Sequence, residues 1–310
     1  MTEIYDTIII GGGPAGYTAG LYAARAGLTA MVVEMLSPGG QMATTMEIDN
    51  YPGVGPGADG FALGEKMQHE AEAFGVESHF AEVTDVDLVS SPKKVITNDG
   101  TFLARTLILA TGASPRKLGL PEEESLAGRG VAYCATCDGR FYRGKNVAVL
   151  GGGNSAAADA LYLSKLCAKV YLVHRRDKLR ADPYYMKPLS AAKNIEYVWD
   201  QQIDGFVHEE KLTGIALTNK KTGEKQVLPV EGAFVAIGRS PNTALFQGKL
   251  DLDPTGYVIA GETTETSVPG VFAAGDLRTK PLRQIVTATA DGAVAATKAA
   301  EWIMANPDQA

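Results

Sequence analysis

Two cysteines stand two residues apart in Cys134-Ala135-Thr136-Cys137, and an acid, Asp138, follows directly. This spacing holds two sulfurs close enough to form and reopen a disulfide. A neighbouring carboxyl can supply or collect the proton that each thiol exchange requires. The same residues could instead hold zinc or a purely structural bridge. A structural zinc site wants four ligands, and the chain offers no second Cys-x-x-Cys and no His-x₃₋₅-His, only His69, His79, His174, His208 and Cys167. Three cysteines cannot staple a fold, and Cys167 falls in an apolar stretch expected to be helical core. The sequence therefore points to a redox pair with Asp138 as its acid/base group, and to no metal.

Electrons must reach such a pair from somewhere, and the elements flanking it name a source. Residues Asp6 to Ile10 form a short β-branched run that ends in Gly11-Gly12-Gly13-Pro14-Ala15-Gly16, and a small-residue helical stretch follows from Tyr17 to Ala26. Strand, tight turn and helix in this order bind dinucleotides. Gly11 permits the turn, Gly13 lets the backbone approach a pyrophosphate, Gly16 allows close helix packing, and the helix start offers free amides to the phosphate charge. A second strand over Ala30 to Val33 then delivers Glu34, 18 residues after Gly16, where a carboxylate accepts from ribose hydroxyls.

The pattern returns at Asn146 to Leu150, followed by Gly151-Gly152-Gly153-Asn154-Ser155-Ala156, a helix expected through Leu166 and a strand over Val170 to Val173. Ala156 replaces the third glycine. The position 18 residues on is His174, followed by Arg175, Arg176 and Arg180. Guanidinium groups favour a 2′-phosphate through charge-assisted hydrogen bonds, so this second site should prefer NADPH over NADH. A solvated basic cap is the plainer alternative for the arginines.

Both copies end alike, in Ile108 to Pro115 with Thr111 and Gly112, and in Val235 to Pro241. Each closes on a Ser-Pro step, at Ser114-Pro115 and Ser240-Pro241. Proline biases its predecessor toward extended backbone, so these steps are expected hinges. The expected fold is α/β, with two three-layer Rossmann-like dinucleotide-binding domains. One is discontinuous (1–114 and 243–310), and the other, 115–242, is inserted into it and carries the cysteines.

The chain has 310 residues, 45% apolar and 21% charged, which suits two ordinary domains. A net charge of −7 argues against nucleic acid or an anionic membrane as the main partner. No apolar run approaches the roughly 18 to 20 residues of a spanning helix, and residues 1–5 do not resemble a signal peptide, so the cytoplasm is the expected address.

Together these motifs resemble the low-molecular-weight, bacterial-type thioredoxin reductases, two-dinucleotide-binding flavoproteins, over essentially the whole length. The resemblance rests on the first glycine loop, Gly39-Gly40-Gln41, Asn50-Tyr51-Pro52-Gly53, Cys134 to Gly139, His174-Arg175-Arg176 with Arg180, and the stretch Thr266 to Asp276. It implies FAD on the discontinuous domain, with Asp276 of Gly275-Asp276 on the ribityl chain. Gly40, Gln41, Asn50, Arg283 and Gln284 would lie near the flavin. Read without the family, Asp276 could equally cap a following helix. The resemblance further implies that Cys137 faces the flavin while Cys134 attacks thioredoxin, that the inserted domain rotates to present first disulfide and then nicotinamide, and that the protein is a homodimer. Two other readings keep the same residues. One is a same-fold reductase using a ferredoxin-type donor or another small redox protein as acceptor. The other is a flavin and thiol redox-sensing module without turnover. A docking element for the protein substrate is expected around the cysteines, with Arg129, Arg140, Phe141 and Tyr142 as anchors.

Overall fold

Strand β1 (Ile4–Ile10) opens a computed structural model that describes residues 4–45 and 47–307. Its Ile8 and Ile9 point to opposite faces and both are fully buried, the pattern of a parallel strand covered on both sides. The chain divides into two units, one running to Ser114 and resuming at Ser240, the other comprising Pro115–Arg239.

In the first unit β1 leads through α1 (Pro14–Arg25) to β2 (Ala30–Glu34), then through α2 (Gly60–Glu72) to β3 (Glu77–Phe80), β4 (Val83–Asp87), β5 (Lys93–Thr97) and β6 (Thr101–Leu109). The sheet order is β3-β2-β1-β6-β5-β4. β1, β2 and β3 are parallel, and β1 also runs parallel to β6. The loop between β1 and α1 therefore opens at the carboxyl edge of the sheet, where such folds bind ligands.

Strand β7 (Ala113–Pro115) carries the chain into the second unit. There β8 (Val131–Ala132), α3 (Ala135–Asp138), β9 (Asn146–Gly151), α4 (Asn154–Leu163), β10 (Lys169–Val173), α5 (Pro183–Ala191) and β11 (Ile195–Val198) precede an antiparallel sheet of β12 (Gln201–His208), β13 (Leu212–Asn219) and β14 (Lys225–Pro229). β15 (Gly232–Ala236) completes a parallel sheet of order β11-β10-β9-β15-β8. One face of that sheet packs Val147, Val149 and Leu172 against Ala157 and Leu163 of α4. The other packs Ala148, Leu150 and Val173 against Ile215 and Leu217 of β13, so the antiparallel sheet supplies the third layer.

Helix α4 ends at Leu163, short of the expected Leu166, and Cys167 lies in the bend that follows rather than in a helix. Leu166 N–H turns back to the Leu163 carbonyl, 2.9 Å, and the Asn194 side-chain amide takes up the Ser164 and Cys167 carbonyls at 2.9 and 3.0 Å. Those acceptors would otherwise have continued the helix ladder. Cys167 is nonetheless buried.

The return strand β16 (Arg239–Pro241) pairs with β7. Back in the first unit, β17 (Val271–Ala273) lies parallel to the second half of β6, whose first half pairs with β5. Helix α6 (Ile285–Ala305) ends the described chain, and a Cβ at its Gly292 would stand 2.2 Å from the Ala15 carbonyl oxygen. α6 and α1 are thus in backbone contact.

Candidate active site

Helix α3 is a single turn. Cys134 is extended, and its carbonyl accepts from Asp138 N–H at 3.0 Å, which curls the chain and sets the Cys134 and Cys137 Cα atoms 5.3 Å apart. The two sulfurs are bonded as a disulfide, S–S 2.05 Å, and Thr136 Oγ1 lies 3.4 Å from Cys134 Sγ. Gly139 lets the turn sit flush on α4, since a Cβ there would meet Leu163 Cδ2 at 2.9 Å and Tyr162 Cε1 at 3.1 Å. Burial pushes the Asp138 carboxyl up to about 6, within reach of the cellular pH at which an acid/base group must both hold and yield a proton. Burial also pushes the Cys167 thiol up to about 11, which leaves it a weak nucleophile near neutrality. Of the expected docking residues, Tyr142 belongs to the core, buried with its ring edge-on to Phe234 at 5.2 Å. Phe141 is exposed, with the Arg140 guanidinium 5.5 Å above its ring, and Arg129 Nε donates to the Ser125 carbonyl. Sequence patterning does not single out Asp159 on α4, whose carboxyl burial pushes up to about 7 against the charge of Arg239.

In the first unit the glycine loop is gathered by several segments. Gly11 has φ 110°, and a Cβ would lie 2.5 Å from the Ala110 oxygen and 3.2 Å from Thr111 N, so β1 and the end of β6 meet there. A Cβ on Gly16 would lie 1.8 Å from the Gly11 oxygen. Glu34 Oε2 accepts from Gly12 N–H at 2.6 Å, which places the carboxylate on the loop. Gly39 N–H donates to the Gly12 carbonyl, 2.8 Å, and Gly40 approaches Gly13. From the far end of the chain, a Cβ on Gly275 would lie 3.0 Å from Ala15 Cβ, and Arg283 Nε donates to the Asp276 carbonyl at 3.3 Å while its guanidinium covers Tyr257 at 4.1 Å. Asn50 donates to Gln284 Oε1, 2.9 Å. Gln284, not Asp276, caps α6, through a reciprocal box with Thr287. Thr111 Oγ1 donates to the Asn242 carbonyl, 2.7 Å, and Gly112 has φ 69°. Gln41 is exposed on the short helix Gly40–Thr44. The space over Gly13 is open, and α1 begins with Pro14, with no acidic residue in its first turn and no side-chain cap. These free amides and that open cradle fit a dinucleotide pyrophosphate.

The second unit holds a cleft of about 790 Å³ around its own loop. Gly151, Gly153, Asn154 and Ser155 line it with His174, Arg175 and Arg180, whereas Ala156 lies beneath the loop and Arg176 is not among the lining residues. The space over Gly153 is open, and α4 likewise starts without a side-chain cap. The His174 ring rests on Gly152, where a Cβ would come within 2.2 Å of it. Burial first, then the charges of Arg180, Arg175 and Arg176, lower its basicity below that of a free imidazole. Its Nε2 is buried without a partner. Arg116, Gln201, Gln202 and Lys220 also line the cleft. Sequence reasoning missed these four because they come from outside the strand-turn-helix motif and carry no spacing signal. Among the described residues no cluster of three or more His, Cys, Asp or Glu side chains is placed to hold a metal.

Comparison with known proteins adds independent findings. The pyridine nucleotide-disulphide oxidoreductase family matches residues 5–292. The chain is 44% identical over 312 residues to a thioredoxin reductase of Streptomyces coelicolor, covering 100% of this chain and 97% of that one. It is 45% identical over 302 residues to a bifunctional thioredoxin reductase/thioredoxin of Mycobacterium leprae, covering 97% of this chain and 66% of that protein. The crystal structure of thioredoxin reductase from Streptococcus pyogenes MGAS5005 superposes with a TM-score of 0.90 at 40% identity, over 98% of this chain and 100% of that one.

Proposed function

We propose that this chain, which belongs to the pyridine nucleotide-disulphide oxidoreductase family and within it to the thioredoxin reductases, carries electrons from NADPH through FAD and the Cys134–Cys137 disulfide to thioredoxin. The observation that carries the proposal is the disulfide itself, held in a single turn with a partly buried acid beside it, in the same unit as a cationic cleft built on a glycine loop.

FAD belongs to the first unit. Gly11, Gly13, Pro14, Ala15 and Gly16 would hold its pyrophosphate, Glu34 its ribose, Gly275 and Asp276 the ribityl chain, and Gly40, Gln41, Asn50, Thr111, Gly112, Arg283 and Gln284 would surround the rest. NADPH belongs to the second unit, on the loop of Gly151, Gly153, Asn154, Ser155 and Ala156 and on His174, with Arg175 and Arg180 near the 2′-phosphate and Arg176 adding charge from outside the cleft. FAD, once bound, supplies a hydride acceptor that passes two electrons on to a disulfide.

Reduction of the Cys134–Cys137 bond takes two electrons and two protons and yields two thiols. Asp138 supplies and later collects a proton at these sulfurs. The Cys134 thiolate then attacks one sulfur of the thioredoxin disulfide, breaking that bond and forming a mixed disulfide. Cys137 attacks Cys134 in turn, which restores the internal disulfide and releases thioredoxin as the dithiol. The two protons given up by the Cys134 and Cys137 thiols, one of them by way of Asp138, end on the two thiolates released from thioredoxin. A homodimer and a cytoplasmic address accompany this reading by resemblance. Among the described residues no helix is long and apolar enough to cross a membrane.

The test is an anaerobic titration of the yellow, flavin-loaded protein with one equivalent of NADPH, in parallel with NADH, following the flavin absorbance. Bleaching by NADPH, with colour restored by oxidised thioredoxin, is the expected result. Colour that persists with both nucleotides would overturn the donor. Cys134→Ser should still bleach and lose thioredoxin turnover by about a thousandfold or more, and retained turnover would overturn the role of Cys134.

A further inference from the structure

The cleft of the second unit is completed by residues that lie outside the Rossmann-like sheet. β12 begins where Gln201 N–H donates to the His174 carbonyl at 3.0 Å, which places Gln201 beside the slot that follows β10. Its side-chain Nε2 donates to the Trp199 carbonyl, 3.0 Å, and so fixes which end of the amide is the oxygen. That oxygen, Oε1, is buried and has no partner, on a residue only 6% exposed that lines the cleft. A buried acceptor left without a donor is unfavourable, so the site is built for a donor that arrives from elsewhere.

Lys220 reaches the same cleft from the turn between β13 and β14. Its N–H donates to the Asp200 carbonyl at 2.7 Å, and Asp200 N–H donates to the Arg176 carbonyl at 3.3 Å. Asp200 adopts a left-handed φ of 58° to make this link, a conformation that a non-glycine residue keeps only when its surroundings enforce it. The next residue, Lys221, is neutralised by Asp200 at 2.9 Å and Asp177 at 3.2 Å. Lys220, Arg116, Arg175 and Arg180, by contrast, form no ion pair among the described residues, and no carboxylate lines the cleft they share. In a chain of net charge −7 this local field is an anion site.

We propose that Lys220 sets the nucleotide specificity of this cleft by pairing with the 2′-phosphate of the adenosine half, and that Gln201 adds affinity by accepting a hydrogen bond from a donor on the adenosine itself. The inference rests on the assignment of this cleft to the pyridine nucleotide. The two residues divide the work. Lys220 reads the group that distinguishes NADPH from NADH, and Gln201 reads a group that both share.

Calorimetric titration of the flavin-loaded, oxidised protein with 2′,5′-ADP and with 5′-AMP separates the roles. Lys220→Met should weaken 2′,5′-ADP about tenfold and leave 5′-AMP within about twofold, and Lys220→Arg should restore most of the loss. Gln201→Leu should weaken both ligands by about five- to tenfold. Unchanged melting temperature and flavin spectrum certify each variant as folded, and Gln201→Met serves in its place if Gln201→Leu fails that check. An equal loss for both ligands in Lys220→Met, or none, overturns the role of Lys220, and unchanged affinities in Gln201→Leu overturn that of Gln201. Arg180→Ala is the control for the underlying assignment. If it weakens 2′,5′-ADP while the Lys220 and Gln201 variants do not, the cleft binds the nucleotide and this inference alone falls. If the wild type binds neither ligand, the assignment of the cleft falls with it.

Discussion

The two dinucleotide folds share a strand, a glycine turn and a helix, yet the residue at the carboxyl end of each second strand treats its loop differently. In the first unit Glu34 accepts from Gly12 N–H at 2.6 Å and from Leu36 N–H at 3.2 Å, so a carboxylate spans the loop. In the second unit the His174 ring lies on Gly152, the counterpart of Gly12, and Arg116, Arg175, Arg180 and Lys220 line its cleft without an ion pair among the described residues. The helix contact differs as well. Gly16 has no room for a methyl group above the Gly11 oxygen, whereas the second loop carries a buried alanine at the matching position, Ala156. One backbone plan thus carries a carboxylate at this slot in one copy and a basic cluster in the other, and the tightness of its helix is set separately in each copy.

The sharpest way to break this comparison is Gly16→Ala. Its Cβ would lie 1.8 Å from a backbone oxygen, which cannot rotate away, so α1 must shift off the loop. We expect a cost of about 3 kcal/mol or more and purified protein that has lost most of its yellow colour, read from the ratio of flavin to protein absorbance. Full flavin content would show that the helix can move without harm.

The second unit also carries what the first lacks, a titrating acid beside a disulfide. Asp138→Asn should slow the exchange between the cysteines and thioredoxin about a hundredfold and remove a pH transition near 6 from that half-reaction, measured by stopped flow. The stability effect has the opposite sign. Because the folded carboxyl titrates near 6 rather than at 3.8, the native state carries no penalty below pH 3.8 and loses stability as pH rises through about 6. Asp138→Asn should therefore be more stable than wild type at pH 8, by at most about 3 kcal/mol, and equal to it at pH 3.5. A variant less stable at both pH values would mean that the carboxyl makes a structural bond.

Gly152→Ala and Gly12→Ala compare the two slots directly. A Cβ at Gly152 meets three His174 ring atoms at 2.2 to 2.6 Å, so the ring must leave its seat. At Gly12 the nearest atoms are Glu34 Cβ and Tyr17 Cε2, both at 3.0 Å, and a small adjustment suffices. Gly152→Ala should raise the dissociation constant for NADP⁺ about tenfold with flavin content unchanged, and Gly12→Ala should reduce flavin retention to a smaller degree. Equal effects of the two substitutions on their own ligands would erase the difference between the slots.

What was legible in advance was whatever is written locally. The β-branched strands, the glycine turns, the positions of Glu34 and His174 and the cysteine spacing are all properties of short segments. The chemistry missed came from segments far apart in sequence. Gln201, Lys220 and Arg116 are ordinary polar residues until β12, the β13–β14 turn and the stretch after β7 bring them to one cleft. Arg176 looked equivalent to its neighbours, but its side chain does not line that cleft. The end of α4 was misplaced because Asn194, thirty residues beyond Ser164, takes the carbonyls that would have extended it. Tyr142, offered as a docking residue by its type, is held in the core by Phe234 and by Gly232, where a Cβ would lie 2.5 Å from its ring.

The mildest substitution, Ala156→Gly, decides whether the tight helix of the first copy reflects ligand demand or merely the residue available. Ala156 is fully buried, and losing its methyl group within α4 should cost about 1–2 kcal/mol through lost burial and helix propensity. If closeness of helix to loop governs nucleotide binding in general, removing this methyl group should let α4 settle nearer and tighten NADP⁺ as well as destabilise the fold. We expect destabilisation alone, with the dissociation constant within about twofold, because the cleft of the second unit takes its grip from charged side chains and from the antiparallel sheet. Chemical denaturation paired with calorimetry measures both quantities on one preparation. A clear gain in NADP⁺ affinity would mean that the two copies follow one packing rule and that Ala156 is a compromise of it.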